Sequence, residues 1–176
     1  MIAHCYGITL IEFWLLKLNK QVLIGKSTLD VSPITDYLYI SAWPRGDHAE
    51  EIHALNVRLI LSMHWTKPSK SLGHPPVQLL WLPTIDNPLV PMPISTLQRG
   101  VDAALPVIRE GYRVLVHCRY GVHRSVAMAC CVLIGMGSTA EEAMKLVEQK
   151  RSVADPRAKH IQQRIAKFEQ HWQEKT

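Results

Sequence analysis

Cysteine is scarce in this chain, which has four among its 176 residues: Cys5, Cys118, Cys130 and Cys131. Their density and spacing fit neither a disulfide-stapled scaffold nor a paired C-x-x-C zinc site. The small disulfide-rich class of secreted domains is therefore excluded. This cysteine usage favours a reducing compartment, and we expect a cytoplasmic protein.

The sequence also lacks an apolar run long enough to cross a bilayer, which takes about 20 residues. The most apolar stretch, ITLIEFWLLKL at 8–18, is interrupted by Glu12 and Lys17. No Lys or Arg precedes it and no small-residue cleavage site follows it, so it does not resemble a secretory signal. We expect residues 1–25 to pack on the domain, with docking of 8–18 on a membrane surface as the less favoured alternative.

Acidic residues are missing from two long stretches, between residues 51 and 86 and between residues 110 and 141. The second stretch contains three arginines, Arg113, Arg119 and Arg124. With a net charge of +5, this distribution favours an anionic partner. The same gaps also suit core strands and a buried helix, where charges of either sign are rare.

No internal repeat or low-complexity tract divides the chain, and its 47% hydrophobic and 20% charged residues suit one globular domain. We place that domain at residues 26–176. Four short apolar runs are predicted as strands, at 37–43, 58–63, 77–83 and 113–117. Helices are predicted at 47–55, from Ser95 to Gly111, at 125–136, at 138–150, and in a final segment with Ile161, Ile165, Phe168 and Trp172 on one face. This alternation predicts a single α/β domain with a central mixed, mostly parallel sheet flanked by helices.

Local signals refine two of these helices. Ser95 is expected to cap the second helix, within which Pro106 predicts a kink or an early end. Ser138 and Glu141 match the S-x-x-E pattern of a capping box, which opens the helix that runs to about Lys150.

The motif HCRYGVHRS occupies residues 117–125, where a predicted strand passes into a predicted helix. Such a loop directs its backbone N–H groups and the helix N-terminus into one concavity, which suits a phosphate dianion. The same field stabilises a thiolate, so Cys118 is expected to have a lowered pKa and to act as a nucleophile. Arg124 returns across the loop with a planar guanidinium that matches two phosphoryl oxygens.

Two flanking residues complete the predicted motif. Ser125 is placed to donate a hydrogen bond to the Cys118 thiolate when the sulfur becomes a leaving group. His117 is expected to support the loop by hydrogen bonding. Residues Arg119, Tyr120, Gly121, Val122 and His123 form the loop itself and are expected to bind the substrate phosphate.

This motif resembles the signature loop of the cysteine-based protein tyrosine phosphatases, and in particular their dual-specificity branch. The resemblance extends over residues 30–172. It implies a phosphatase-like fold, a phosphocysteine intermediate, and a general acid on an upstream loop. Asp86 matches that acid because it follows a predicted strand and opens a proline-rich loop. The sequence departs from the family pattern at Tyr120 and His123, where smaller residues are more usual, and both departures are expected to alter the pocket.

The resemblance implies a phosphorylated protein as substrate, carrying phosphotyrosine and phosphoserine or phosphothreonine. A phosphoinositide or an RNA 5′-phosphate remains open as the substrate, as does a phosphate-binding module with weak catalysis. No other nucleic-acid partner is expected. No cofactor is expected, and no metal, because His117 and His123 with Cys118 lack further ligands at metal-binding spacing. Cys130 and Cys131 are expected to be packing residues.

Overall fold

A five-stranded sheet organises residues 28–175, which are the residues that the computed structural model describes. The strands are β1 (Val31–Pro33), β2 (Leu38–Ser41), β3 (Val57–Ser62), β4 (Gln78–Trp81) and β5 (Arg113–His117). They lie in the order β1-β2-β5-β3-β4; β1 is antiparallel to β2 and the other neighbours are parallel. The predicted mixed, mostly parallel sheet is confirmed. The sequence did not indicate β1, because three residues ending in a proline are too short to show alternation.

Helices cover both faces of the sheet. They are α1 (Ala49–Ala54), α2 (Ile94–Arg109), α3 (Arg124–Gly135), α4 (Ala140–Lys150) and α5 (Lys159–Lys175), with 3-10 turns at Gly46–His48 and Lys70–Gly73. The four long helices share the larger apolar core on one face, and α1 packs in a smaller core on the other. Residues 28–175 therefore form a single α/β domain.

Successive side chains of a strand point to opposite faces of the sheet and so into different cores. On β5, Val114 and Val116 face the larger core, whereas Leu115 between them faces the smaller one. This is the period of two that a pleated strand imposes on its side chains. α3 lies inside the larger core, where Cys130 and Cys131 are fully buried among apolar side chains. Their predicted packing role is confirmed.

Two predicted helix starts were wrong by one or two residues. α2 is preceded by Pro93 as its N-cap rather than by Ser95. The capping box of α4 is formed by Thr139 and Glu142, one residue later than predicted. The sequence contains overlapping S-x-x-E and T-x-x-E patterns at Ser138 and Thr139, so it did not decide which residue begins the capping box of α4.

Pro106 was predicted to cause a kink or an early end, and the early end was wrong, because α2 continues to Arg109. The proline lies in the last turn of the helix. It therefore gives up one backbone hydrogen bond near an end that would fray in any case. Gly111, with a φ of +83°, then allows the chain to turn away.

The parallel strands bring their carboxyl ends to one edge of the sheet. Ser41, His117, Ser62 and Trp81 stand side by side in register there. Open α/β sheets bind ligands beyond this edge, so the loops that follow these strands are the place to look for a site.

The apolar segment 8–18 and the predicted boundary at residue 26 lie outside the described residues. Among the residues that are described, no helix is both long enough and apolar enough to traverse a lipid bilayer.

Candidate active site

The loop 118–123 leaves β5 at its carboxyl end and enters α3, as the motif predicted. Cys118 is buried at the start of this loop, with 2% of its surface exposed. Its Sγ lies 3.2 Å from Ser125 Oγ, and the backbone N–H of Gly121 donates to it at 3.3 Å. Gly121 has a φ of +69°, which allows the loop to curl around the sulfur.

The surroundings of Cys118 favour its thiolate. Burial raises the pKa of a thiol, because it removes water from the charged form. Here the hydroxyl and backbone N–H of Ser125, the backbone of Tyr120 and the charge of Arg124 outweigh that effect, so the pKa of Cys118 lies below its ordinary value. A lowered pKa makes the sulfur available as a nucleophile.

Arg124 joins the loop to two other strands. Its Nη1 donates to the backbone carbonyls of Met63, after β3, and of Thr84, after β4, at 3.3 and 3.1 Å. Its buried Nε makes no hydrogen bond to any described residue, although Asp86 Oδ2 lies 3.5 Å away. A buried N–H without an acceptor is costly, so this group is suited to an anionic ligand.

Asp86 reaches the signature loop from the loop that follows β4. Its carboxylate is 3.1 Å from His123 Nδ1 and 3.3 Å from His160 Nε2. The side chain is 28% exposed, so it is accessible from solvent. The structure therefore brings the predicted acid and the predicted nucleophilic loop to the same edge of the sheet.

These residues line one open cleft of about 860 Å³. Cys118 and Arg124 belong to its lining, and the substrate-binding candidates Arg119, Tyr120, Val122 and His123 do so as well. Large apolar side chains stand at its rim, with Trp65 and Tyr120 being 65% and 68% exposed. A buried thiol of lowered pKa and a buried arginine, beneath an exposed apolar rim, suit an anionic group carried on a larger molecule.

Comparison with known proteins identifies this arrangement. The family described as "Dual specificity phosphatase, catalytic domain" matches residues 38–170. The chain belongs to this family. It is therefore a cysteine-based phosphatase domain of the dual-specificity branch.

Individual relatives agree with the family. The chain is 27% identical to "Tyrosine-protein phosphatase yvh1" of Schizosaccharomyces pombe over 89% of its own length, but spans only 47% of that protein. It is 30% identical to mouse "Dual specificity protein phosphatase 22", covering 80% of this chain and 74% of the mouse protein. A crystal structure of a mouse dual specificity phosphatase shares the fold with a TM-score of 0.76, at 23% identity over 85% of this chain and 92% of that one.

His117 lies beneath the phosphatase loop and is fully buried. Its Nδ1 is 3.4 Å from the carbonyl oxygen of Cys118, and its ring packs edge-on against Trp43. Burial lowers the pKa of His117 to about 4, which keeps the imidazole neutral at physiological pH. This geometry fits the support of the loop that the sequence predicted.

Arg151 supports the same loop, and sequence reasoning missed it. Its Nε donates to the carbonyl of Gly121 at 2.9 Å and its Nη2 to that of Tyr120 at 3.3 Å, while Asp30 pairs with its other side. A Cβ at position 121 would meet this guanidinium, which would have to shift away from the loop, and the positive φ of residue 121 also favours glycine. The only signal in the sequence was a cation at the end of a predicted helix.

His160, at the start of α5, was also missed. Among the described residues, it forms the one group of potential metal ligands together with Asp86 and His123, with one ligand atom of each within 4.8 Å of the others. The metal set considered from sequence, His117 and His123 with Cys118, does not come together. His160 gave no signal because it is 37 residues from His123 along the chain and next to a core position.

Proposed function

We propose that this phosphatase domain hydrolyses phosphomonoesters through a phosphocysteine intermediate on Cys118. The observation that carries the proposal is the pairing of a buried thiol of lowered pKa with a buried guanidinium whose Nε makes no hydrogen bond among the described residues. A phosphate placed over the sulfur would supply that acceptor and complete the charge balance.

In the first step, the Cys118 thiolate attacks phosphorus and the bond from phosphorus to the ester oxygen breaks. Asp86 gives its proton to the departing oxygen, which leaves as an alcohol or phenol. Arg124 and the N–H groups of the loop stabilise the negative charge on the phosphoryl oxygens in the transition state. No metal takes part in this sequence.

In the second step, water attacks the phosphocysteine and the sulfur–phosphorus bond breaks. Asp86, now a carboxylate, accepts a proton from the water, which regenerates the acid. Ser125 donates a hydrogen bond to the sulfur as it leaves as a thiolate, and their 3.2 Å separation supports this role. Inorganic phosphate is then released.

We propose phosphorylated proteins as the substrates, through phosphotyrosine and phosphoserine or phosphothreonine. Two observations support this class. The similar mouse protein is named as a dual specificity protein phosphatase, and the rim of the cleft offers Trp65, Ile85 and Tyr120 to the apolar side chains that flank a phosphorylated residue.

We place the catalytic domain at 26–176 and expect it in the cytoplasm on the basis of its cysteine usage.

The proposal is tested with Cys118→Ser, which keeps the size of the side chain but removes a thiolate nucleophile. Turnover should fall to background for phosphopeptides, phosphoinositides and 5′-phosphorylated RNA alike, while phosphate still binds. Cys130→Ala, at a buried cysteine on α3 that lies outside the motif and outside the lining of the cleft, is the matched control and should remain active. Substantial turnover by folded Cys118→Ser protein would refute the mechanism. Preference of the wild-type enzyme for a phosphoinositide or RNA substrate would refute the substrate class.

A further inference from the structure

We propose that Asp86, His123 and His160 form a binding site for zinc at the mouth of the catalytic cleft, and that zinc bound there inhibits the enzyme. The site contains one carboxylate and two imidazoles, contributed by the loop after β4, the signature loop and the start of α5. The zinc site itself stands on geometry alone. Its inhibitory effect rests on the proposed role of Asp86 as general acid.

The distances suit a small tetrahedral ion. A zinc ion with nitrogen and oxygen ligands at about 2.0–2.2 Å holds them about 3.3 Å apart. The Asp86 oxygens lie 3.1 Å from His123 Nδ1 and 3.3 Å from His160 Nε2. Since all three ligand atoms lie within 4.8 Å of one another, the histidine nitrogens need to approach by no more than about 1.5 Å.

The ligand types select the metal. Two imidazole nitrogens and one carboxylate are suited to zinc and to neighbouring transition ions, whereas magnesium and calcium prefer sites built of oxygen. Three protein ligands leave a fourth position for water or a substrate oxygen. All three side chains are 23–28% exposed, so an ion has access from solvent.

A further carboxylate stands behind one ligand. His123 uses Nδ1 towards Asp86, and its other nitrogen, Nε2, lies 3.9 Å from Asp155 Oδ2. Histidines that bind metals generally direct their second ring nitrogen to a carboxylate or carbonyl, which fixes the tautomer and orients the ring. Asp155 is placed for that function.

Zinc at this position would act on catalysis through Asp86. A carboxylate bound to zinc cannot carry the proton that the departing oxygen needs, so the first chemical step loses its acid. His160 takes no direct part in the proposed chemical steps; it contacts Asp86. Inhibition should therefore resemble the loss of Asp86, with a large effect on poor leaving groups and a small effect on activated aryl phosphates.

Direct binding is measured in the Cys118→Ser protein, because the catalytic thiolate is itself a zinc ligand and would confuse the result. Titration of zinc in competition with a chromogenic chelator should show one site. His160→Ala in this background should weaken binding by at least about tenfold. His171→Ala, an exposed histidine on the same helix, should leave binding unchanged.

Inhibition is measured in the active enzyme. Zinc should lower kcat for an alkyl phosphate by about 10²-fold, the usual effect of removing a proton donor, and a chelator should restore it. Millimolar magnesium should have no effect. His160→Ala should need at least about tenfold more zinc for half inhibition, measured against its own activity without metal.

The zinc-binding titration and the inhibition assay test separate parts of the proposal. Equal zinc affinity in the His160→Ala and His171→Ala proteins, or no zinc binding once Cys118 is replaced, would overturn the site. Saturated binding with unchanged turnover of an alkyl phosphate would overturn the inhibitory role. An inactive enzyme that still binds zinc through His160 would instead count against the proposed function alone.

Discussion

The signature loop and the acid loop hold their functional groups by different means. Cys118 and Arg124 are buried, and their contacts come from the loop itself, its adjoining helix and the backbone at two strand ends. Asp86 lies on a loop whose neighbours Ile85 and Leu89 are exposed, and it is positioned by side chains of distant segments. A site can thus combine a group fixed by local backbone with one that depends on side chains far away in sequence.

The cysteines show why the signature loop matters chemically. Cys118, Cys130 and Cys131 are all buried. Burial raises the pKa of Cys130 and Cys131 within α3, whereas hydrogen-bond donors at the start of the same helix bring the pKa of Cys118 below its ordinary value. Burial alone therefore makes a thiol inert, and the donors around it decide whether it reacts.

The largest expected effect lies in the signature loop. Arg124→Lys should lower kcat by about 10³-fold, because a single ammonium cannot replace a planar fork that binds two phosphoryl oxygens. Steady-state kinetics with a phosphopeptide would measure this. Arg99→Lys, on the exposed side of α2, is the control and should be neutral. Near-normal kinetics in Arg124→Lys would remove the assignment of Arg124 as phosphate clamp.

A smaller effect is expected in the acid loop. Asp86→Asn should lower kcat by about 10²-fold for an alkyl or tyrosyl phosphate, and much less for an activated aryl phosphate whose oxygen leaves without a proton. The control is Asp36→Asn, an exposed acid in the turn before β2, which should behave as the wild type.

The choice of leaving group separates the two loops. Cys118, whose pKa is lowered, is needed for every substrate, whereas a proton donor is needed only where the departing oxygen is a poor leaving group. Normal turnover of poor leaving groups in Asp86→Asn would mean that another residue is the acid.

The smallest expected effect is on the stability of the folded protein, through His117 beneath the signature loop. The pKa of His117 is about 4 in the folded protein against 6.5 for an ordinary histidine. Between pH 6.5 and pH 4, the unfolded chain therefore binds a proton on His117 that the folded protein does not bind. As a result, the free energy of unfolding falls as pH drops from 6.5 to 4. The loss amounts to about 3 kcal/mol at pH 4.

Urea denaturation at pH 7 and pH 4 measures this loss. His117→Gln should reduce it, because the variant has no imidazole to protonate on unfolding. His53→Gln, on an exposed part of α1, should keep the wild-type dependence on pH. Equal losses in the wild type and His117→Gln would show that His117 does not cause the dependence.

Much of the fold could be predicted from sequence because its signals are local. Each parallel strand corresponds to a short run of apolar residues in the sequence. Each run is followed either by a helical pattern or by a loop that contains Pro or Gly. The errors occurred where local signals were weak or doubled: a three-residue edge strand, a proline in a last turn, and two overlapping capping patterns at Ser138 and Thr139.

The sequence by itself determined the signature loop, because Cys118, Arg124 and Ser125 lie within eight residues at a junction of strand and helix. That junction imposes the geometry through backbone hydrogen bonds. Only the tertiary structure decided which distant side chains join it. Arg151 under the loop and His160 beside Asp86 are placed by the packing of α4 and α5 on the sheet, and contacts between segments so far apart leave no spacing pattern in a single sequence.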